Sequence, residues 1–163
     1  MRTSFINQRT YARSTGLKNT FGDFTCLNCG SFVCADAALS GVHHRNHCPY
    51  CLASRHLDLF EAGDRLSACK GAMLAVALTW KRSLKKYART GDGELMLVHR
   101  CRDCGGLSIN RIAADDDNAR ILALLHGSAV LEVALRETCR AAGIQVLGAG
   151  ETHLVTRCLF GQN

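Results

Sequence analysis

Cys26-Leu27-Asn28-Cys29 is followed, eighteen residues on, by Cys48-Pro49-Tyr50-Cys51. A Cys-x-x-Cys tetrapeptide folds as a tight knuckle, and two of them at this separation bring four thiolates to one tetrahedral zinc ion. Gly30, just after Cys29, suits the turn in which backbone amides face the sulfur. His43, His44 and His47 lie beside the second knuckle as candidate ligands, acid–base groups or supporting donors, or as plain loop residues packed on it. Cys34 is off the knuckle spacing and reads as a small core residue.

A third tetrapeptide, Cys101-Arg102-Asp103-Cys104, is again followed by glycine, Gly105-Gly106. It needs two more ligands to close a second zinc site. Cys69, in a Gly-flanked loop, is the best remaining cysteine. His99 is the favoured fourth ligand, because a strand puts it on the same side as Cys101; His56 is the alternative and requires the chain to fold back. With only one zinc, Cys101 and Cys104 would instead be a structural or redox pair. A redox pair usually opens a helix, whereas Leu107-Ser108-Ile109 reads as a strand, so two zinc sites are expected.

The chain has 163 residues and 47% apolar content, enough for one compact domain or two small ones. No apolar run approaches a membrane span. Ten cysteines without a secretory apolar segment point to a reducing compartment, and a cytoplasmic location is expected. The first 22 residues are acid-free and rich in Arg, Ser and Thr, so an organelle transit peptide is the alternative. The formal charge is +6. A zinc site of four thiolates carries −2, and one of three thiolates and a neutral histidine carries −1, so the loaded protein sits at about +3. That balance favours anionic partners.

Residues 1–22 read as a basic arm carrying Arg2, Arg9 and Arg13. Residues 23–68 read as a first zinc-ribbon-like subdomain, with a half-buried strand over 52–60. Residues 69–117 read as a second zinc-binding β-subdomain. Its segment 80–89 holds Lys81, Arg82, Lys85, Lys86 and Arg89 with Trp80 and Tyr87 and no acid. Cations meet phosphates and aromatics stack bases, so this segment is the main nucleic-acid candidate, with Arg45 and Arg111 as further contacts. Asp115-Asp116-Asp117 offers caps for a helix that follows. Residues 118–163 read as two helices, stopped by Gly127 and Gly143, and strands near 144–147 and 154–160. Cys139 and Cys158 are expected in the core. The fold class is α+β, with zinc-ribbon-like β-subdomains and a small helical and β C-terminal region.

At Arg45-Asn46-His47-Cys48-Pro49 the chain resembles the RNHCP domain family, named for this pentapeptide. The likeness extends through Cys51-Leu52, His56, Gly63-Asp64-Arg65, Cys69, Gly71 and Met73. It resumes at His99-Arg100-Cys101, Cys104-Gly105 and Asn110 to Asp116. The resemblance implies a small zinc-ribbon-type protein and supplies no reaction.

Three functions compete. The first is a zinc-stabilised protein that binds nucleic acid, with RNA or the ribosome as partner. The second is a zinc-stabilised protein-interaction module. The third is a metal-dependent nuclease of the His-Asn-His type. For the last, His43-His44 lies between two knuckles, but only three residues separate His44 from Cys48, too few for a ββ-turn-α metal site. No phosphate-binding loop, dinucleotide fingerprint or nucleophile elbow appears. No catalytic residue is assigned.

Overall fold

The computed structural model describes residues 22–60, 63–83 and 92–161. It contains both sheets and helices. The described chain divides into two compact units. The first holds the described residues up to Leu74 together with Arg100–Gly106 and Ala113–Asp117. The second holds Ala75–His99, Leu107–Ile112 and the described residues from Asn118 onward.

The first unit is poor in regular structure. β1 (Phe24–Thr25) pairs antiparallel with β2 (Phe32–Val33) around the first knuckle, in the register Phe24 to Val33. A one-turn helix, α1 (Ala37–Ser40), lies in the connection to the second knuckle. Asp36 caps it, accepting from the Ala38 amide, and Gly41 ends it in the left-handed conformation. β3 (Ser54–Arg55) pairs antiparallel with the start of β4 (Ala72–Arg82), Ser54 opposite Met73 and Arg55 opposite Ala72. One core cluster here is Cys26, Val33, Cys48 and Ala53, with Phe24 and Cys51 against it; Val42, Leu52, Leu57 and Met73 are buried as well. Three of the six residues in that cluster are knuckle cysteines, so it is built largely on the metal-binding turns.

The half-buried strand expected over 52–60 is confined to Ser54–Arg55. Beyond it the chain is a loop held by two carboxylates. Asp58 accepts from the amides of Gly63 (2.8 Å) and Arg65 (3.1 Å), and Asp64 from those of Leu59 and Phe60. Those bonds replace a ladder, so Leu57 is buried while Leu59 is exposed, against the alternation.

The second unit is built on β4, β5 (Gly93–Cys101) and β6 (Leu107–Arg111) of a sheet ordered β3-β4-β5-β6. Ala77, Val98, Leu135 and Cys139 form one core cluster, with Val76, Leu107, Ile109, Leu131, Ile144 and Val146 packed around them. Helix α2 (Asn118–Gly127) buries Ile121 and Leu125, four apart on one stripe, and α3 (Val133–Ala141) buries Leu135 and Cys139 in the same way. The strand expected near 144–147 is reduced to a bridge, Val146 to Thr79. Thr79 Oγ1 also donates to the Gln145 carbonyl (2.7 Å), and the Leu147 amide donates to Leu78 (2.9 Å). This segment covers the edge of β4 beyond its short pairing with β3.

The strand expected over 154–160 is a helix, α4 (Thr152–Phe160). The Gly148 amide donates to Glu151 Oε2 ahead of it, and Gly161 closes it with φ 64°. It packs on α2. Cys158 is exposed rather than in the core, whereas Cys139 is fully buried. Among the described residues no single helix is long and apolar enough to cross a membrane.

Candidate metal centres

The three knuckles share one backbone plan. In each, the residue after the second cysteine donates its amide to the carbonyl of the first: Gly30 to Cys26 (2.8 Å), Leu52 to Cys48 (2.8 Å) and Gly105 to Cys101 (3.0 Å). Each of those residues is left-handed, with φ 76°, 59° and 74°. The first cysteine's amide then donates across the turn, to Ser31, Ala53 and Gly106 respectively. Amides inside each turn aim at its first sulfur: Asn28 and Cys29 at Cys26, Tyr50 and Cys51 at Cys48, Asp103 and Cys104 at Cys101. Such donors stabilise thiolate. Leu52 makes this turn without glycine, and its side chain is buried.

Knuckles one and two close the first group, Cys26, Cys29, Cys48 and Cys51. Sulfurs of Cys26 and Cys51 stand 3.6 Å apart, as do those of Cys29 and Cys48. Zinc–sulfur bonds of about 2.3 Å in a tetrahedron require about 3.8 Å between sulfurs, so the donor set fits a zinc ion held by four thiolates. Without metal the four thiols are unequal. Burial pushes Cys26 and Cys48 up, while exposed Cys29, beside the Ser31 hydroxyl and amide, comes down to about 6.

The second group is His56, Cys69, Cys101 and Cys104, with all donor atoms within 4.8 Å of one another. Cys69 and Cys101 sulfurs are 3.6 Å apart. Cys104 Sγ is 3.2 Å from His56 Nδ1, about 0.4 Å tighter than an ideal S–Zn–N edge. Only one half of this centre is a knuckle; the other half is a hairpin. The His56 amide donates to Gly71 (2.9 Å) and the Lys70 amide to His56 (3.1 Å), extending the β3–β4 pairing. That pairing sets His56 beside Cys69 although twelve residues separate them. Burial raises the Cys69 thiol to about 11. Burial also opposes ionisation of Cys101, but the knuckle amides of Asp103 and Cys104 together with hydrogen bonds from the Cys104 and Cys69 thiols outweigh it, and the net shift is downward. A Cβ on Gly71 would stand 2.9 Å from Cys101 Sγ, and one on Gly106 3.0 Å from the His56 ring. Both glycines let backbone pass close to the ligands.

His99 is not the fourth ligand. It is fully buried on β5, where Asn110 Nδ2 on β6 donates to its Nδ1 at 2.9 Å. The strand still pairs at residue 99 and the knuckle starts two residues later, so sharing a side with Cys101 does not bring His99 to the group. The hairpin that delivers His56 had a signal in the sequence, Gly63-Asp64 midway between His56 and Cys69.

The family model of the RNHCP domain matches residues 21–122. The chain belongs to the RNHCP domain family. No curated protein and no solved structure matches it. Each of the two cysteine-rich groups of this RNHCP chain can hold a zinc ion. Zinc, when bound, supplies folding free energy by joining turns that are distant in sequence.

The RNHCP pentapeptide itself is a buried clamp. Arg45 Nη1 donates to Asp115 (2.8 Å) and Nη2 to Asp116 (3.3 Å), with further bonds to the carbonyls of Cys34 and His47. His47 Nε2 lies 2.9 and 3.0 Å from the two oxygens of Asp116. A carboxylate only accepts, so Nε2 carries the proton. Asp116 also accepts from the Ala113 amide (2.8 Å). Asn46 is buried and its carbonyl accepts from Ser54 Oγ; Cys48 is a ligand; the Pro49 carbonyl accepts from the Asp117 amide (3.0 Å). In sequence, Arg45 read as a nucleic-acid contact and the three aspartates as a helix cap. Arg45 is instead buried and paired. Asp115 and Asp116 bind its guanidinium, and the helix starts at Asn118.

Of the other nucleic-acid candidates, Lys81 and Arg82 are exposed at the end of β4. Trp80 is half-buried and lies against Gly93. Arg111 is exposed and bridges to Glu94 at 3.1 Å, which offsets its charge. Arg2, Arg9, Arg13, Lys85, Lys86 and Arg89 lie outside the described residues. His43 and His44 are exposed and belong to neither metal group.

Proposed function

We propose that this RNHCP protein binds nucleic acid, RNA and ribosomal RNA foremost, with both zinc ions structural. The carrying observation is the exposed Lys81-Arg82 pair at the end of β4, from which the sequence runs on into Lys85, Lys86 and Arg89. Four protein donors around each centre leave no open position for a substrate, so metal holds loops and does no chemistry. Cations on a strand end meet phosphates without reading sequence. The test is binding of the zinc-loaded chain to a labelled structured RNA across a salt series. Affinity is expected to fall linearly in log–log form. A flat series sinks the proposal.

A second reading, a protein-interaction module, draws on the exposed apolar residues around the first centre: Leu27, Phe32 and Tyr50. Salt-insensitive binding of a stoichiometric protein partner, seen by native mass spectrometry of protein from its own cell, would replace the first reading with this one.

A further inference from the structure

The two metal centres differ in what surrounds them. Every residue next in sequence to a ligand of the first centre is uncharged or histidine: Thr25, Leu27, Asn28, Gly30, His47, Pro49, Tyr50 and Leu52. The second centre is rimmed by cations. Lys70 follows Cys69, and Arg100 and Arg102 flank Cys101. Arg100 and Arg102 are exposed and Lys70 is half-exposed. Among the described residues none of the three makes an ion pair. The Arg102 amide donates to Ala72 (2.9 Å), so the knuckle tip is tied to the strand that begins just after Lys70. With Cys69 and Cys101 sulfurs 3.6 Å apart, the residues that carry these charges are each next in sequence to one of two neighbouring ligands. Against these three charges stand Asp103 and the single negative charge of a zinc centre with three thiolates and one histidine, so the rim remains net positive.

Resting on the nucleic-acid reading above, we infer that the rim of the second centre, Lys70, Arg100 and Arg102, is a phosphate-contacting surface for a nucleic-acid strand. Zinc fixes its geometry, because each cation is bonded directly to a ligand residue. No aromatic ring adjoins these ligands in sequence, so the contact is electrostatic and indifferent to base identity. This surface is separate in sequence from the 80–89 segment and the N-terminal arm, where charge density alone pointed.

The probe is a labelled single-stranded oligouridylate, followed by anisotropy against the zinc-loaded full chain at several KCl concentrations. Each phosphate contact contributes about 0.7 to the slope of log affinity on log salt for a single strand. R100Q/R102Q should flatten the slope by about 1.4, and K70Q, next to the other ligand Cys69, by about 0.7. Zinc content should stay at two, and R100K/R102K should keep the wild-type slope. If K81Q/R82Q flattens the slope while R100Q/R102Q and K70Q do not, this surface is wrong and the nucleic-acid reading stands. No salt-dependent binding by the wild type overturns both. Binding of polyglutamate with no binding of the oligonucleotide also overturns both, and makes the partner an acidic protein. Should R100Q/R102Q lose zinc, K70Q decides: an unchanged slope refutes the surface.

Discussion

Replacing Asp116 by alanine should be the most damaging single change to the pentapeptide clamp, and Asp115→Ala a mild one. Asp116 is fully buried and receives Arg45, His47 and the Ala113 amide. Its removal leaves the His47 and Ala113 N–H groups without this acceptor inside the first unit, at about 1–3 kcal/mol each. Arg45 keeps Asp115 and two carbonyls, so it is not fully stranded. The sum lands at about 4 kcal/mol, within the range for breaking a buried pair. Asp115, whose side chain is 44% exposed, is screened by water, and its loss should cost about 0.5–1 kcal/mol. The clamp and both metal groups lie in the first unit, so the assay should report that unit. We suggest urea unfolding of zinc-loaded protein read by metallochromic detection of released zinc. With a urea dependence of about 2 kcal/mol per molar, Asp116→Ala should release zinc about 2 M earlier than wild type, and Asp115→Ala less than about 0.5 M earlier. Equal midpoints for the two variants would show that burial does not set the strength of this clamp.

Three further outcomes are expected. His56→Ala should lower bound zinc from two to one in the presence of a competing chelator, whereas His99→Ala should keep both and lose stability by about 1–3 kcal/mol through its stranded Asn110 partner; zinc counting by native mass spectrometry decides. Leu52→Gly relieves a left-handed residue, at about 1–2 kcal/mol, but gives up a buried leucine, at about 2–5 kcal/mol, so the net change should be destabilising by about 1–2 kcal/mol in the same zinc-release assay. Zinc affinity of the first centre should rise with pH, because burial holds metal-free Cys26 and Cys48 protonated and zinc must displace those protons. Cys29, with a pKa of about 6, is already ionised at neutral pH. Calorimetry in buffers of different ionisation enthalpy should therefore show proton release at about pH 7.5, and none detected would refute the assignment.

The first centre was legible because all four donors lie in two local turns, and a turn is a property of a few adjacent residues. The second was legible only by half. Its knuckle is local, but His56 meets Cys69 through a hairpin whose loop is organised by Asp58 and Asp64, and side-chain acceptors of that kind leave no periodicity to read. Arg45 was misread because charge in a sequence does not disclose burial; its acceptors, Asp115 and Asp116, lie seventy residues away. In α4 the nine residues Thr152–Phe160 suit either period, and the deciding signals were the ends, Gly148 with Glu151 before the helix and Gly161 after it.

The clamp also bears on why the pentapeptide reads as a family signature. A loop-rich unit with two-residue strands leaves many carbonyls without a ladder partner, and a buried carbonyl must be paired. The Arg45 guanidinium, with five donors, serves two such carbonyls and two carboxylates at once. His47 serves Asp116, and the Pro49 carbonyl takes the Asp117 amide. Three residues of the pentapeptide thus bind one five-residue segment, Ala113 to Asp117, and a fourth, Cys48, binds the metal. An apolar replacement of equal volume can match a buried ion pair in stability, but it cannot satisfy those carbonyls. The motif is therefore a folding device, and the surfaces proposed above to meet nucleic acid, Lys81 with Arg82 and Arg100 with Arg102, lie outside it among exposed side chains.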